Sequence, residues 1–209
     1  MRPRVVVFAR APVAGQVKTR LAREIGDARA LELYRWCAAT VLAQLRDPRW
    51  ALWVAFTPAD HRPLTEAALG PADRWIAQPD GDLGVRLAAA VAAAFAEGGG
   101  PVLLVGTDCV ALTAGRVAEA LAQLATHDAV LGPAHDGGYY LLGLARPLPL
   151  FDGVAWSTAT VASDTREGLR RAGATWAELP PEQDLDEVAD LASLADRSDA
   201  PAWARRPIG

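Results

Sequence analysis

The amino-acid sequence predicts an α/β fold in three layers, with a mostly parallel sheet covered on both faces by helices. Short apolar runs alternate along the chain with longer segments whose apolar residues recur at helical spacing, which is typical of strands joined by crossover helices. Two of the runs, residues 5–9 and 101–105, are apolar throughout, as expected for strands buried on both faces. The 209 residues are enough for one α/β domain with a full core.

Seven strands are predicted, most of them from an apolar run that lies next to a turn signal. The fourth is apolar throughout and is therefore expected near the centre of the sheet. Glutamine and proline at positions 78 and 79 end the third strand, and Gly137-Gly138 precedes the sixth. In chain order the strands cover residues 5–9, 51–56, 74–77, 101–105, 128–131, 139–144 and 175–179.

Helices are predicted between the strands from capping residues at their starts and breakers at their ends. Asp27 caps a helix over residues 28–46, whose apolar positions fall on one face. Thr113 caps a helix over residues 114–125, and Gly173 ends a helix that begins at Ser157 or Thr158. The remaining helices cover residues 58–69, about 81–97 and about 187–195.

The composition indicates a globular protein and argues against several classes. Apolar residues make up 51% and charged residues 22%, which is ordinary for a globular protein. The net charge of −4 provides no overall positive potential that would attract nucleic acid. Two cysteines are too few for a disulfide framework, which favours a cytoplasmic location. The apolar run at the N-terminus is too short for a signal peptide or a membrane span, so no membrane partner is expected. A single domain is expected over residues 1–196, followed by a loose tail over residues 197–209.

Lys18 lies in the loop after the first strand and is the only lysine of the protein, all other basic residues being arginine. Lysine is a compact charge with three donors that suits a phosphate oxygen, so we favour phosphate binding over a solvated surface lysine. The loop also offers backbone N–H groups around Gly15. It matches neither a P-loop, because Val17 precedes the lysine, nor a dinucleotide loop, because it has one glycine.

Polar side chains follow several predicted strands, and in sheets of this kind ligands bind outside the carboxyl ends of the strands. These ends meet at one edge, so we expect Lys18, Gln78, Asp108 and Asp136 to line one cleft. Basic residues near the N-terminus, among them Arg10, suit a small anion. The full strand-end set is Lys18, Arg20, Gln78, Asp82, Arg86, Asp108, Asp136, Asp184 and Asp186.

Asp108 is the sharpest of these positions, because a carboxylate at the end of a buried strand serves no packing purpose. It could cap the next helix, but Thr113 lies closer to that helix, so we favour metal ligation. Asp184 or Asp186 could supply a second carboxylate, with compensation of the following helix dipole as an equal alternative.

Gly137 and Gly138, beside Asp136, are compatible with backbone that approaches a ligand closely, or with a plain turn into the sixth strand. Because neighbours on a strand alternate, one of Tyr139 and Tyr140 should face the site and the other the core.

Six segments taken together resemble the motifs of a known family: FARAPVAGQVKTRLA, QPDGDLGVRL, GTDCVAL, HDGGYYLLGL, WST and DLDEVADL. The family is DUF2064, small glycosyltransferase-A-type proteins that are nucleotide-diphospho-sugar transferase-like, some of them named arsenosugar-biosynthesis glycosyltransferases. It is similar to the phospholactate and molybdenum-cofactor guanylyltransferases. The resemblance runs from about residue 5 to residue 194.

The resemblance implies a Rossmann-like, glycosyltransferase-A-type fold and assigns roles by position. The nucleotide would lie over Lys18 and Arg20, and Asp108 would bind the metal. A second metal aspartate would be Asp186, with Asp184 close behind. One departure is Val110, where this family usually has proline, and it is a local change that leaves Asp108 in place.

The sequence therefore predicts a metal-dependent transferase that uses a nucleoside triphosphate or a nucleotide sugar, with Mg²⁺ or Mn²⁺ as cofactor. Glycosyl and nucleotidyl transfer both stay open, and a nucleotide-binding protein of the same fold without turnover is the alternative. A small-molecule acceptor is expected as the second substrate, and a homodimer is one assembly considered. Catalytic roles fall to Lys18, Arg20 and Asp108, and binding roles to Arg10, Gly15, Gln78, Asp82, Arg86, Asp136, Gly137, Gly138 and Tyr139.

Overall fold

The computed structural model describes residues 2–205, which form seven strands and six α-helices. The strands are β1 Arg4–Arg10, β2 Ala51–Thr57, β3 Arg74–Ala77, β4 Val102–Val105, β5 Ala129–Pro133, β6 Tyr139–Leu144 and β7 Trp176–Glu178. The helices are α1 Thr19–Ile25, α2 Asp27–Gln44, α3 Arg62–Leu69, α4 Leu83–Ala96, α5 Ala114–Gln123 and α6 Val161–Arg171. Two short 3₁₀ helices cover Ala59–His61 and Val188–Leu194.

All seven strands join one sheet in the order β3-β2-β1-β4-β6-β5-β7. Strand β6 pairs antiparallel with both neighbours, and every other pairing is parallel. The predicted mixed, mostly parallel sheet is thus confirmed, with β4 in the middle as expected. Because β6 is reversed, its first residue lies at the same edge as the carboxyl ends of the other strands, and this edge carries the site.

The core lies on both faces of the sheet, which gives the three predicted layers. Alternate residues of β1 point to opposite faces: Val5 and Val7 enter one cluster with α2 and α5, and Val6 enters the other with α4 and α6. All three are fully buried. This alternation explains why the strand is apolar at every position.

Three local features differ from the sequence prediction. Helix α1 begins directly after Lys18, in a stretch predicted as loop; it is seven residues long and buries only Leu21, so its periodicity is weak. Helix α6 starts at Val161 because residues 157–160 form a turn in which Ser157 has a φ of 64°. The last helix is a 3₁₀ helix with a capping box between Glu187 and Asp190.

The described part of the C-terminal tail is packed, which corrects the expectation of a loose segment. Ala200 and Ala204 are buried in the cluster that contains α2. The indole N–H of Trp203 donates a hydrogen bond to Glu32 on α2, at 2.7 Å. Residues 206–209 of the predicted tail lie outside the described residues. Within residues 2–205, no helix combines the length and apolar character that a membrane crossing needs.

Candidate active site

A cleft at the carboxyl edge of the sheet divides into two adjoining cavities. The larger has a volume of about 700 Å³ and the smaller about 290 Å³. Lys18, Leu83 and Asp186 line both. Gln78 and Asp108 line the smaller cavity, and Asp136 lines the larger. The four residues predicted to share one cleft therefore lie around two connected cavities, with Lys18 between them.

Lys18 is buried at the junction of the cavities rather than exposed on a loop. Its ammonium donates to Asp108 Oδ1 at 2.6 Å and to the carbonyl of Leu185, and it lies 3.4 Å from Asp186 Oδ1. The Lys18 side chain is 2% exposed, whereas those of Asp108 and Asp186 are 38% and 39% exposed. The ammonium thus joins two carboxylates from distant parts of the chain.

The backbone and the charge of Lys18 are both fixed by this arrangement. The residue adopts a left-handed conformation, with φ of 47° and ψ of 44°, immediately before α1. A non-glycine residue pays about 1 kcal/mol or more for this conformation, and the contacts of the ammonium offset it. Burial lowers the pKa of Lys18, but the charges of Asp108 and Asp186 outweigh burial and raise the pKa above its ordinary value. Lys18 therefore stays protonated.

Asp184 and Asp186 stand on the extended segment before the last 3₁₀ helix, with the buried Leu185 between them. Burial, followed by the charges of Asp108, Asp186 and Asp136, raises the pKa of Asp184 to about 8. Burial and Asp108 raise the pKa of Asp186 against the opposing effect of Lys18. Within the described chain, Asp184 Oδ1 is buried and has no hydrogen-bond partner. Burial and the neighbouring carboxylates thus disfavour the ionised forms of Asp184 and Asp186.

Gly137 approaches the protein's own backbone closely. Its φ is 90°, and a Cβ at this position would overlap the carbonyl oxygen of Ala159. The carbonyl of Gly137 also accepts a hydrogen bond from the backbone N–H of Ala162. Gly137 is required because it lets the turn before α6 lie against the turn before β6. Asp136 Oδ1 accepts from the N–H of Gly138 at 2.8 Å, which closes the same turn.

The two tyrosines at the start of β6 alternate as predicted. Tyr140 is buried in the core cluster with α2 and donates its hydroxyl to the carbonyl of Pro180 at 3.1 Å. Tyr139 packs against the opposite cluster and lines the larger cavity. Its hydroxyl is buried without a hydrogen-bond partner in residues 2–205, and burial raises its pKa.

Arg10, Gln78 and Arg86 line the smaller cavity, as the predicted nucleotide-binding roles require. The guanidinium of Arg10 donates to the carbonyl of Gln16, and that of Arg86 to the carbonyl of Gly81. The amide nitrogen of Gln78 donates to the carbonyl of Ala55 at 2.7 Å, which leaves the amide oxygen for a ligand. Arg20 lines the larger cavity and is exposed.

Two predicted site residues have local structural roles. Asp82 caps α4 by accepting a hydrogen bond from the N–H of Val85 at 2.9 Å. Gly15 has a φ of 74° in the turn before α1, next to the carboxylate of Asp27. Neither residue is among those that line the two cavities.

Leu83, Trp156 and Glu187 are among the residues that line the cleft and had no predicted role. Trp156 belongs to the WST segment, and Glu187 is the N-cap of the last 3₁₀ helix. Leu83 lines both cavities and is 41% exposed. An apolar residue directly after a capping aspartate could have been noticed, but its exposure is set by the fold.

The family model for "Uncharacterized protein conserved in bacteria (DUF2064)" matches residues 40–158. A structure from Desulfovibrio desulfuricans G20, of a candidate nucleotide-diphospho-sugar transferase, is 36% identical and superposes with a TM-score of 0.87, covering 100% of this chain and 92% of that one. The chain belongs to the DUF2064 family. The search of curated proteins gave no match.

More distant structures share the fold of this DUF2064 protein. The 4-diphosphocytidyl-2C-methyl-D-erythritol synthase of Anaerococcus prevotii has a TM-score of 0.62 at 8% identity, covering 98% of this chain and 99% of that one. A cytidylyltransferase of Leptospira borgpetersenii has a TM-score of 0.62 at 12% identity, covering 99% and 90%. At these identities the likeness confirms the predicted glycosyltransferase-A-type fold.

The DUF2064 site offers few ligands of its own to a divalent ion. No three potential ligands from His, Cys, Asp or Glu converge on one point in the described residues. Magnesium needs only one or two protein carboxylates, because phosphate oxygens and water fill its other positions. Asp108 and Asp186 both contact one ammonium, and Asp184 Oδ1 is buried without a hydrogen-bond partner in the described residues. These residues fit a magnesium ion that binds together with a phosphate ligand.

Proposed function

We propose that this protein is a metal-dependent transferase that uses a nucleotide-activated donor, either a nucleotide sugar or a nucleoside triphosphate. The observation that carries the proposal is the smaller cavity, which is lined by three basic side chains and by the carboxylate pair of Asp108 and Asp186. A basic cavity next to two carboxylates suits a diphosphate together with a divalent ion.

The printed names of the similar structures support the same class. The D. desulfuricans relative is a candidate nucleotide-diphospho-sugar transferase, and two distant structures are named as cytidylyltransferase or diphosphocytidyl synthase. A CMP-sugar-acid synthetase with a TM-score of 0.51 was solved in complex with CTP.

Asp108 and Asp186 are the residues that would hold Mg²⁺ or Mn²⁺. Both line the smaller cavity, whereas Asp184 lines only the larger one. When bound, the ion would supply positive charge that offsets the charge of the donor's diphosphate. Lys18 holds the two carboxylates in place and adds one positive charge to this corner of the cleft.

Arg10 and Arg86 attract the anionic donor, and Gln78 offers its amide oxygen to a donor group of the base or the sugar. Exposed Arg20 lines the larger cavity, and its guanidinium can contact the diphosphate near the reacting atom. An acceptor hydroxyl oxygen forms the new bond to phosphorus or to the anomeric carbon, the bond to the leaving phosphate oxygen breaks, and the hydroxyl proton is released to water. Positioning and electrostatics supply the catalysis, so no strong general base is required.

The test is calorimetric titration of the full chain with CTP, GTP, UTP, ATP and the matching nucleoside diphosphate sugars, with Mg²⁺ and with EDTA. We expect at least one nucleotide to bind in the micromolar range with Mg²⁺ and at least tenfold more weakly in EDTA. Arg86→Gln should weaken that binding about tenfold, whereas Arg62→Gln, at an exposed site on α3, should not. No binding by any of these nucleotides would contradict the proposal.

Turnover distinguishes the transferase from a binding protein of the same fold. The nucleotide that binds is incubated with a mixture of small hydroxylated acceptors, and mass spectrometry follows released pyrophosphate or nucleoside diphosphate. Release that depends on acceptor and metal supports transfer. Tight binding without any release across the mixture would favour the binding-protein alternative.

A further inference from the structure

The two cavities of the cleft differ in the sign of their charge. Three basic and two acidic side chains line the smaller cavity, whereas two basic and four acidic side chains line the larger one. Lys18 counts in both, and its ammonium is already paired with Asp108 and Asp186. The acidic residues of the larger cavity are Asp136, Asp184, Asp186 and Glu187. Arg20 is therefore the only basic side chain of its lining that is not held by a carboxylate, as far as the described residues show.

One wall of the larger cavity is apolar and aromatic. Phe8, Leu87, Tyr139 and Trp156 line it and pack against the core cluster of α4 and α6. The indole of Trp156 lies against the first turn of α4, where a Cβ on Gly84 would come within 2.7 Å of its ring nitrogen. The absence of a side chain at Gly84 thus sets the position of the indole. The wall offers a ligand an apolar surface.

Two buried polar atoms of the same cavity have no partner within the described chain. They are the hydroxyl of Tyr139 and the Oδ1 atom of Asp184. Buried polar groups in folded proteins are almost always hydrogen-bonded, so such atoms in a cavity lining indicate a missing ligand. The Asp184 oxygen can accept a hydrogen bond from a hydroxyl or an amine, and the Tyr139 hydroxyl can donate or accept one.

We propose that the larger cavity binds the acceptor, and that this acceptor is a hydroxyl-bearing molecule that is uncharged or cationic, has an apolar face and carries no phosphate or carboxylate. The inference rests on the proposed function, which places the donor nucleotide in the smaller cavity. The carboxylates of Asp136, Asp186 and Glu187 oppose an anionic acceptor. The apolar wall receives the apolar face of the acceptor, and the unpartnered oxygens of Tyr139 and Asp184 receive its hydroxyl groups.

The test uses three probes that differ only in the group on carbon 6 of one sugar: phenyl β-D-glucoside, its 6-amino-6-deoxy analogue and phenyl β-D-glucuronide. Ligand-observed NMR measures their affinities for the full chain. We expect the neutral and amino probes to bind in the millimolar range and the glucuronide at least tenfold more weakly. Trp156→Ala should abolish this binding, which assigns it to the larger cavity.

Charge and hydrogen bonding are separated by two variants with a matched control. Glu187→Gln should reduce the ratio of the glucuronide Kd to the glucoside Kd at least threefold. Tyr139→Phe should weaken binding of the glucoside without changing that ratio. Glu167→Gln removes an exposed carboxylate of α6 outside the cleft and should change neither value. Equal or tighter binding of the glucuronide, or no binding of the neutral and amino probes up to 10 mM, would overturn the inference.

Nucleotide titration of the same samples keeps the two proposals apart. Nucleotide binding together with a preference for the glucuronide refutes the acceptor class alone. Discrimination against the glucuronide without binding of any nucleotide refutes the donor assignment alone.

Discussion

Replacing Lys18 by methionine tests whether the buried ammonium holds the site together. The side chain keeps its length and apolar stem but loses the charge, so Asp108 and Asp186 lose their shared cation and the carbonyl of Leu185 loses a donor. Removing one partner of a fully buried ion pair costs about 3–5 kcal/mol. Both carboxylates are more than a third exposed, and solvent screening reduces the expected loss to about 2 kcal/mol.

The assay is thermal and urea unfolding of Lys18→Met in EDTA at pH 7.5. For a chain of this size a loss of about 2 kcal/mol corresponds to a fall in Tm of about 4–8 °C. Added Mg²⁺ should raise the Tm of the variant more than that of the parent, because the ion replaces the missing charge. Arg23→Met, at an exposed position in α1, is the control and should change stability by less than about 0.5 kcal/mol.

A Tm of Lys18→Met within 1 °C of the parent would refute the reasoning, because the ammonium would then contribute nothing to the folded state. The Lys18 side chain is buried rather than exposed on a loop, which is why its removal is expected to lower stability.

Three further predictions concern Asp108, Gly137 and the ion pair of Arg166 with Glu178. Asp108→Asn should abolish metal-dependent nucleotide binding and lower the free energy of unfolding of the apo protein by about 1–2 kcal/mol, because it removes a charged partner of the buried ammonium. Gly137→Ala should destabilise the fold by about 3 kcal/mol in urea unfolding, because its Cβ would overlap the carbonyl of Ala159 at a positive φ. The hydrogen bond from Arg166 lowers the pKa of Glu178 below its ordinary value. This ion pair therefore stabilises the fold fully at pH values above the unfolded-state pKa of about 4.5. Its contribution is lost as the pH falls through the folded-state pKa. Glu178→Gln should flatten that acid limb of the stability–pH curve.

Each of these predictions has an opposite outcome that would contradict it. An Asp108→Asn variant that melts at or above the parent would show that carboxylate repulsion outweighs the ion pair. A fully stable Gly137→Ala variant would mean that the turn before α6 can move away. An unchanged acid limb in Glu178→Gln would mean that this ion pair adds nothing measurable.

Local patterns predicted the fold and the edge that carries the site. The apolar runs identified all seven strands, and the breakers placed the ends of most helices within a few residues. The strand-end rule gathered Lys18, Gln78, Asp108 and Asp136 at one edge, where the structure places them. Helix α1 was missed because a seven-residue helix that buries one side chain leaves little periodicity.

The roles of individual residues were harder to predict, because each depends on contacts made elsewhere in the chain. Gly137 was assigned to a ligand or a plain turn, but its neighbour is the backbone of Ala159. Asp82 was assigned to the nucleotide and caps its own helix. Trp156 was visible in a motif, yet nothing in the sequence shows that its indole lies on the wall of the larger cavity.

By itself, the sequence determined the alternation of strands and helices, the family and the set of charged residues at the strand ends, because these are recorded in local periodicity and in ordered motifs. Only the tertiary structure decided what surrounds Lys18, since its partners Asp108 and Asp186 lie 90 and 168 residues away along the chain. Burial and opposing charge arise when those segments meet. The packing of these segments also produces one cavity with more basic than acidic side chains and another with more acidic than basic side chains.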